Sequence, residues 1–248
     1  KQVPMKKIWK WALYDWANSA FATTVIAGFF PIFFKQYWSS GVSISLSTAR
    51  LGTANAIASL FIAITAPLLG AVADKYSKTQ QFLIAFAILG ISMTVSLYWI
   101  SQGQWLWAVA IYILANIGFS SANIFYDSLL VLISPKENLD QTSTFAYALG
   151  YLGGGLLFLI NVLMTLYPSS FGLENATEAM RLSFITVGIW WATFSLPLLC
   201  HKSNSSKHNT NRKITTIFNE CRNTIAASKH NPKLLFFLIA YWLYMDGV

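Results

Sequence analysis

An all-α membrane protein with six spanning helices is what the sequence predicts, and three observations predict it. Of its 248 residues, 55% are hydrophobic and only 10% carry a charge, whereas a soluble domain carries about 25% charged residues. The apolar residues fall into six runs long enough for a bilayer, which needs about 20 residues per helix. The basic residues collect in alternate gaps between those runs. In a lipid core only helices and closed barrels satisfy every backbone group. These runs are continuous rather than alternating, so helices are expected. The net charge of +8 then belongs to membrane topology rather than to nucleic acid, since Lys and Arg are not interleaved with solvated aromatics.

The first run, 11–38, follows Lys10 and is too long for the apolar stretch of a secretory signal peptide, so it reads as a retained span. The others cover 48–73, 81–101, 105–133, 145–167 and 181–200. Residues 1–200 are thus expected to form one six-helix bundle. Residues 201–233 begin with the polar "HKSNSSKHNTNRK" and read as a linker. Within it Ile214, Ile217, Phe218, Cys221 and Ile225 recur at helical spacing. They predict an amphipathic helix lying on the membrane surface or on the protein itself. A seventh run, "LLFFLIAYWLYMDGV", covers 234–248. It is too short to cross and still apolar at its last residue, and the chain opens on Lys1 rather than Met. The expectation is the front half of a longer protein. Cys200 and Cys221 are too few for a disulfide framework and read as inert thiols.

Orientation follows from Lys and Arg in the short loops. Fourteen of the seventeen basic residues fall on the side of the N-terminus, leaving only Lys35, Arg50 and Arg181 on the other. The N-terminus and the linker are therefore expected in the cytoplasm.

Charged groups inside a span are costly and usually face a cavity, a partner or an ion path. Asp15 and Asp127 fall in complete spans and Asp246 in the unfinished seventh. Asn116, Ser120, Asn123 and Asp127 are spaced 4, 3 and 4 residues apart, which places them on one helix face. The first run adds Asp15, Asn18 and Ser19, and the second adds Asn55 and Ser59. Because the first and fourth runs cross in opposite directions, Asp15 and Asp127 are expected at similar depth, in one vestibule open to the cytoplasm. The plainer reading is that each carboxylate is satisfied locally, Asp15 by first-turn amides or Lys10.

In the fifth run, "YALGYLGGGLLFLIN", Gly150, Gly154, Leu157 and Asn161 share a face. Such glycines, with Gly153 beside them, let two helices approach closely. The run lacks the preceding strand and following Lys-Ser/Thr of a phosphate loop. No HExxH, paired CxxC or GxSxG is present. The sequence supports neither an enzyme nor a metal or cofactor site. The turn "GAVADKYSKTQ" joins the second and third runs, with Gly70 permitting close contact, Asp74 able to accept from backbone amides, and Lys75 and Lys78 holding the turn inside.

That turn resembles the loop signature Gly-x-Leu-Ala-Asp-Arg/Lys-x-Gly-Arg of the major facilitator superfamily. Gly70, Ala73, Asp74, Lys75 and Lys78 match, while Val72 and Ser77 depart from it. A closer likeness lies in "YDWANSAFATTVIAGFFPIFF", "FYDSLLVLI", "GYLGGGLLFLIN" and "LIAYWLYMDGV". Together these resemble the vacuole effluxer family, which has a yeast member associated with amino-acid efflux from the vacuole and many bacterial relatives. The resemblance implies two six-helix bundles, each a pair of three-helix inverted repeats, with substrate bound between them and alternating access. Helices one, four and seven would line the cavity, which are the helices bearing Asp15, Asp127 and Asp246. Tyr14, Asn18, Asn116, Asn123 and Tyr126 would supply hydrogen bonds, and 70–78 would be a gating loop. A carboxylate on such a path can bind and release a proton. The implied function is secondary transport of a small solute, with amino acids and protons as the candidates, by a monomer in a bacterial inner membrane. The rival readings are a lipid or glycolipid flippase of the same fold and a non-transporting scaffold or receptor.

Overall fold

A computed structural model describes residues 5–75, 78–200, 232–233, 236–237 and 240. The expected linker helix, nearly all of the seventh run, and Asp246 lie outside the described residues. Six helices are long and apolar enough to cross a membrane, and no strand occurs among the described residues. They are α1 (Met5–Trp38), α2 (Ile44–Lys75), α3 (Thr79–Ser96, extended by a 3₁₀ turn over Leu97–Trp99), α4 (Trp105–Ile133), α5 (Leu139–Leu166) and α6 (Ala176–Leu199).

Several helices begin a turn or more before the apolar runs do, because backbone bonding continues through polar residues that hydropathy does not register. At α6 the reason is a cap. Asn175 accepts from the Glu178 N–H at 3.0 Å, and Glu178 accepts from the Glu174 N–H at 2.8 Å. Side-chain oxygens thereby satisfy amides that the first helical turn leaves open.

The up-and-down course gives the bundle a near end, holding the starts of α1, α3 and α5, and a far end, holding the starts of α2, α4 and α6. Helix α1 is the most enclosed, packing on α5 and α6, while α3 packs on α4 and α6, and α2 packs chiefly on α4. Small residues set the closest approaches. A side chain at Gly118 of α4 would overlap the backbone of Gly90 in α3, and one at Gly90 would come within 2.5 Å of the Trp191 ring. At the far end, Phe30, Phe33, Phe34 and Trp38 of α1 pack with Tyr112 and Phe184, the Phe30 and Tyr112 rings stacking at 3.9 Å. At the near end, Trp11, Tyr14, Leu83, Phe125 and Tyr126 form a second core.

Helix α1 is not regular. It is α-helical over Met5–Ala20, π-helical over Phe21–Phe29, then α-helical over Phe30–Phe33 and π-helical over Phe34–Trp38. The wider turns carry bonds five residues back, such as Phe30 N–H to Val25 O. Pro31 accounts for the first of these stretches, since it offers no N–H and its ring crowds the carbonyl four residues earlier.

Arg181 pins the far end of α6 to the turn after α3. Its Nε and Nη2 donate to the Tyr98 carbonyl at 3.0 and 2.7 Å, and its guanidinium lies 4.9 Å from the Tyr98 ring centroid. Hydrogen bonds from a charged group contribute about 1.5–3 kcal/mol. Arg181→Ala is expected to destabilise the protein by about that much, read by thermal unfolding in detergent, and an unchanged midpoint would show the clamp to be idle.

Candidate functional site

Two elements build the site, the near halves of α1 and α4, with α5 behind them. Asn18 is 2% exposed, and its Nδ2 donates to Oδ1 of Asn123. Nearer the end, Trp11 Nε1 donates to the Tyr126 carbonyl at 3.0 Å, and the two rings stack at 4.4 Å. Tyr14 also stacks on Tyr126, with ring centroids 5.0 Å apart. These contacts bind α1 to α4 through polar groups, of which Asn18 and Tyr126 are buried. An unpaired amide there would cost about 1–3 kcal/mol, so the pairing dictates which faces of the helices meet.

Asp15 sits between this seam and α5. The Ser19 hydroxyl is 3.5 Å from its Oδ1, and a Cβ built on Gly150 would lie 2.9 Å from its Oδ2. The carboxylate thus occupies the notch left by the missing side chain of Gly150. The same seam continues outward. The Thr23 hydroxyl is 3.2 Å from the Gly154 carbonyl and 3.0 Å from that of Ser19, and Gly153 receives the Trp16 ring. Trp190 of α6 donates to the Trp16 carbonyl at 3.2 Å.

Asp127 is exposed. It follows Tyr126 on α4 and lies one turn beyond Asn123. The structure therefore brings Tyr14, Asp15, Asn18, Asn123, Tyr126 and Asp127 into one region. Asn116 belongs to the same stripe but lies farther along α4, accepting from Ser120 at 3.3 Å. Gly150, Gly153 and Gly154 are all buried against α1, as their spacing leads one to expect. Gly70 has open space around it rather than a close helix contact among the described residues. Asp74 and Lys75 end α2, and Lys78 is exposed.

Sequence reasoning missed Trp11, Trp16 and Trp190. Each uses its indole to reach a carbonyl or glycine on another helix, and tryptophans near helix ends are common enough in membranes that nothing in the string marks these three.

The fold and the buried polar seam define a multi-pass helical bundle of the major facilitator type. Residues 40–142 and 135–248 match the family described as "Vacuole effluxer Atg22 like", and the chain belongs to that family. It is 34% identical over 242 residues to an MFS-type transporter, YxiO, of Bacillus subtilis (strain 168), covering 96% of this chain and 56% of that protein. It is 28% identical over 204 residues to a protein of Aquifex aeolicus (strain VF5), covering 73% of this chain and 50% of the relative. It is 23% identical over 146 residues to autophagy-related protein 22 of Pichia angusta, covering 51% of this chain and 26% of the relative. The chain thus spans about half the length of the first two relatives. No solved structure matches it.

Proposed function

We propose that the chain is the front half of a secondary transporter that moves a small solute across the membrane by alternating access. The observation that carries this reading is the convergence of two carboxylates, Asp15 and Asp127, with Asn18, Asn123 and two tyrosines on helices otherwise made for lipid. Such a concentration of polar groups in spans marks substrate and ion paths. Asp15 and Asp127 attract an amino group or carry a proton, and the amides and phenols orient the solute by hydrogen bonds. Asn116 extends the path toward the far end, and Asp246 joins it from helix seven. The α2–α3 junction, with Asp74 and Lys75 ending α2 and Lys78 just before α3, gates the cytoplasmic side, where the N-terminus lies. Residues 1–200 form one bundle, 201–233 the linker, and 234–248 the start of the second half. The protein works as a monomer in a bacterial inner membrane, with amino acids as the first solutes to test.

The test is uptake of a labelled amino-acid mixture into proteoliposomes holding the full-length protein, with and without a proton gradient. Gradient-driven uptake is expected in the wild type. It should fall by about tenfold or more in Asp15→Asn and in Asp127→Asn, as loss of a charge-assisted contact implies. Uptake that survives in both folded variants with the same gradient dependence would remove the carboxylates from the path. Absence of uptake in folded wild type would remove amino acids and turn the search to sugars, peptides and lipids.

A further inference from the structure

The far end of the bundle holds a cation whose surroundings are incomplete. Arg50 lies in the second turn of α2, six residues after Ile44, hence about 9 Å along the helix. It is half-buried. Its guanidinium lies 3.8 Å from the ring centroid of Trp105, the first residue of α4. Stacking uses the face of the guanidinium and leaves its in-plane N–H groups for other partners. One of those nitrogens, Nη1, is buried and has no hydrogen-bond partner among the described residues.

Arg181, at the same end, shows what a satisfied arginine looks like here, since two of its nitrogens are bonded to the Tyr98 carbonyl. Among the described residues Arg50 has no equivalent bond. The described acids at this end are Glu174 and Glu178, and the latter is already bonded to the Glu174 amide. Trp105 and the two residues after it have amides that no side chain caps. A guanidinium in a span is retained where something pairs with it. The group that matches its planar fork is a carboxylate or phosphate oxyanion, which can take two parallel N–H bonds.

We propose that Arg50, held flat by Trp105, is an oxyanion-binding site at the far end of α2 and α4. This site is separate from the α1–α4 carboxylates and stands whether or not they carry solute. Its ligand is either the carboxylate of a small solute or the phosphate of a lipid headgroup, two sources with the same chemistry.

The test measures thermal protection of the full-length protein in nanodiscs. One arm adds sodium acetate to zwitterionic lipid, with sodium chloride at equal ionic strength as reference. The other replaces part of that lipid with phosphatidylglycerol. Protection in the acetate arm assigns a solute carboxylate, and protection in the phosphatidylglycerol arm assigns the headgroup. In either case the apparent affinity should weaken by about tenfold or more in Arg50→Gln. Arg50→Lys, which keeps the charge but not the fork, should fall between. If Arg50→Gln does not fold, Arg50→Lys and Trp105→Leu carry the comparison, and both should weaken binding. Protection in neither arm, or equal protection in wild type and folded variants, overturns the proposal.

Discussion

Gly153→Ala is expected to destabilise the full-length protein, while Gly155→Ala, two residues along the same helix, is expected to stabilise it. In a helix alanine is favoured over glycine by about 1 kcal/mol, and at Gly155 nothing opposes that gain, because an added Cβ meets no atom within 4 Å. At Gly153 the added Cβ would lie 2.5 Å from the Trp16 carbonyl oxygen and from its ring. Backbone cannot turn aside as a side-chain tip can, so α1 and α5 must separate, and overpacking of this kind costs about 1–3 kcal/mol. The two variants should therefore shift the unfolding midpoint in opposite directions. Shifts of the same sign would mean that α1 and α5 do not meet as described. Gly150→Ala makes a useful third case. Its neighbours are the Ser19 hydroxyl at 2.7 Å and the Asp15 carboxylate at 2.9 Å, both able to rotate away. Stability should change little, and transport should fall because Asp15 is displaced.

The second large effect is expected at the amide pair that joins α1 to α4. Asn18→Leu leaves the carbonyl oxygen of the half-buried Asn123 without its donor. The cost should be about 1–3 kcal/mol. Replacing both residues by Leu removes the orphan together with the bond, so the double variant should be less destabilised than the two single variants added together. Coupling energies of about 0.5–3 kcal/mol are usual for residues in contact. A complete cycle measured by chemical or thermal unfolding reads this directly. Strict additivity would show that the two amides do not act as a pair. Because Trp11 also holds α4 through the Tyr126 carbonyl, the helices should remain associated in either single variant, which keeps the measurement interpretable.

Much of the fold is legible in the string because lipid imposes a simple rule. Every spanning segment must bond its own backbone and cover itself with apolar side chains, so composition alone marks six helices. Glycine spacing on α5 is legible for a related reason. Gly150 and Gly154 are four apart, one face of a helix, and both are buried against α1. The polar stripe of α4 is legible because Asn116, Ser120, Asn123 and Asp127 interrupt an apolar helix at helical spacing.

What spacing does not contain is the choice of partner. Nothing in the order of residues says that Asn18 meets Asn123, that Trp11 reaches a carbonyl 115 residues away, or that the Asp15 carboxylate rests in the notch of Gly150. Gly90 and Gly118 carry no warning that they bring α3 and α4 together against Trp191. Nor does hydropathy reveal the π-helical turns before Pro31, because an apolar residue counts the same whether its amide bonds four residues back or five. Residue order alone marks six apolar runs long enough to cross a membrane, with Asp15 and Asp127 within them. Tertiary structure alone decided which faces meet, because burial rewards many pairings almost equally, whereas a hydrogen bond, a glycine notch or an indole reaching a carbonyl is satisfied at only one relative position of two helices.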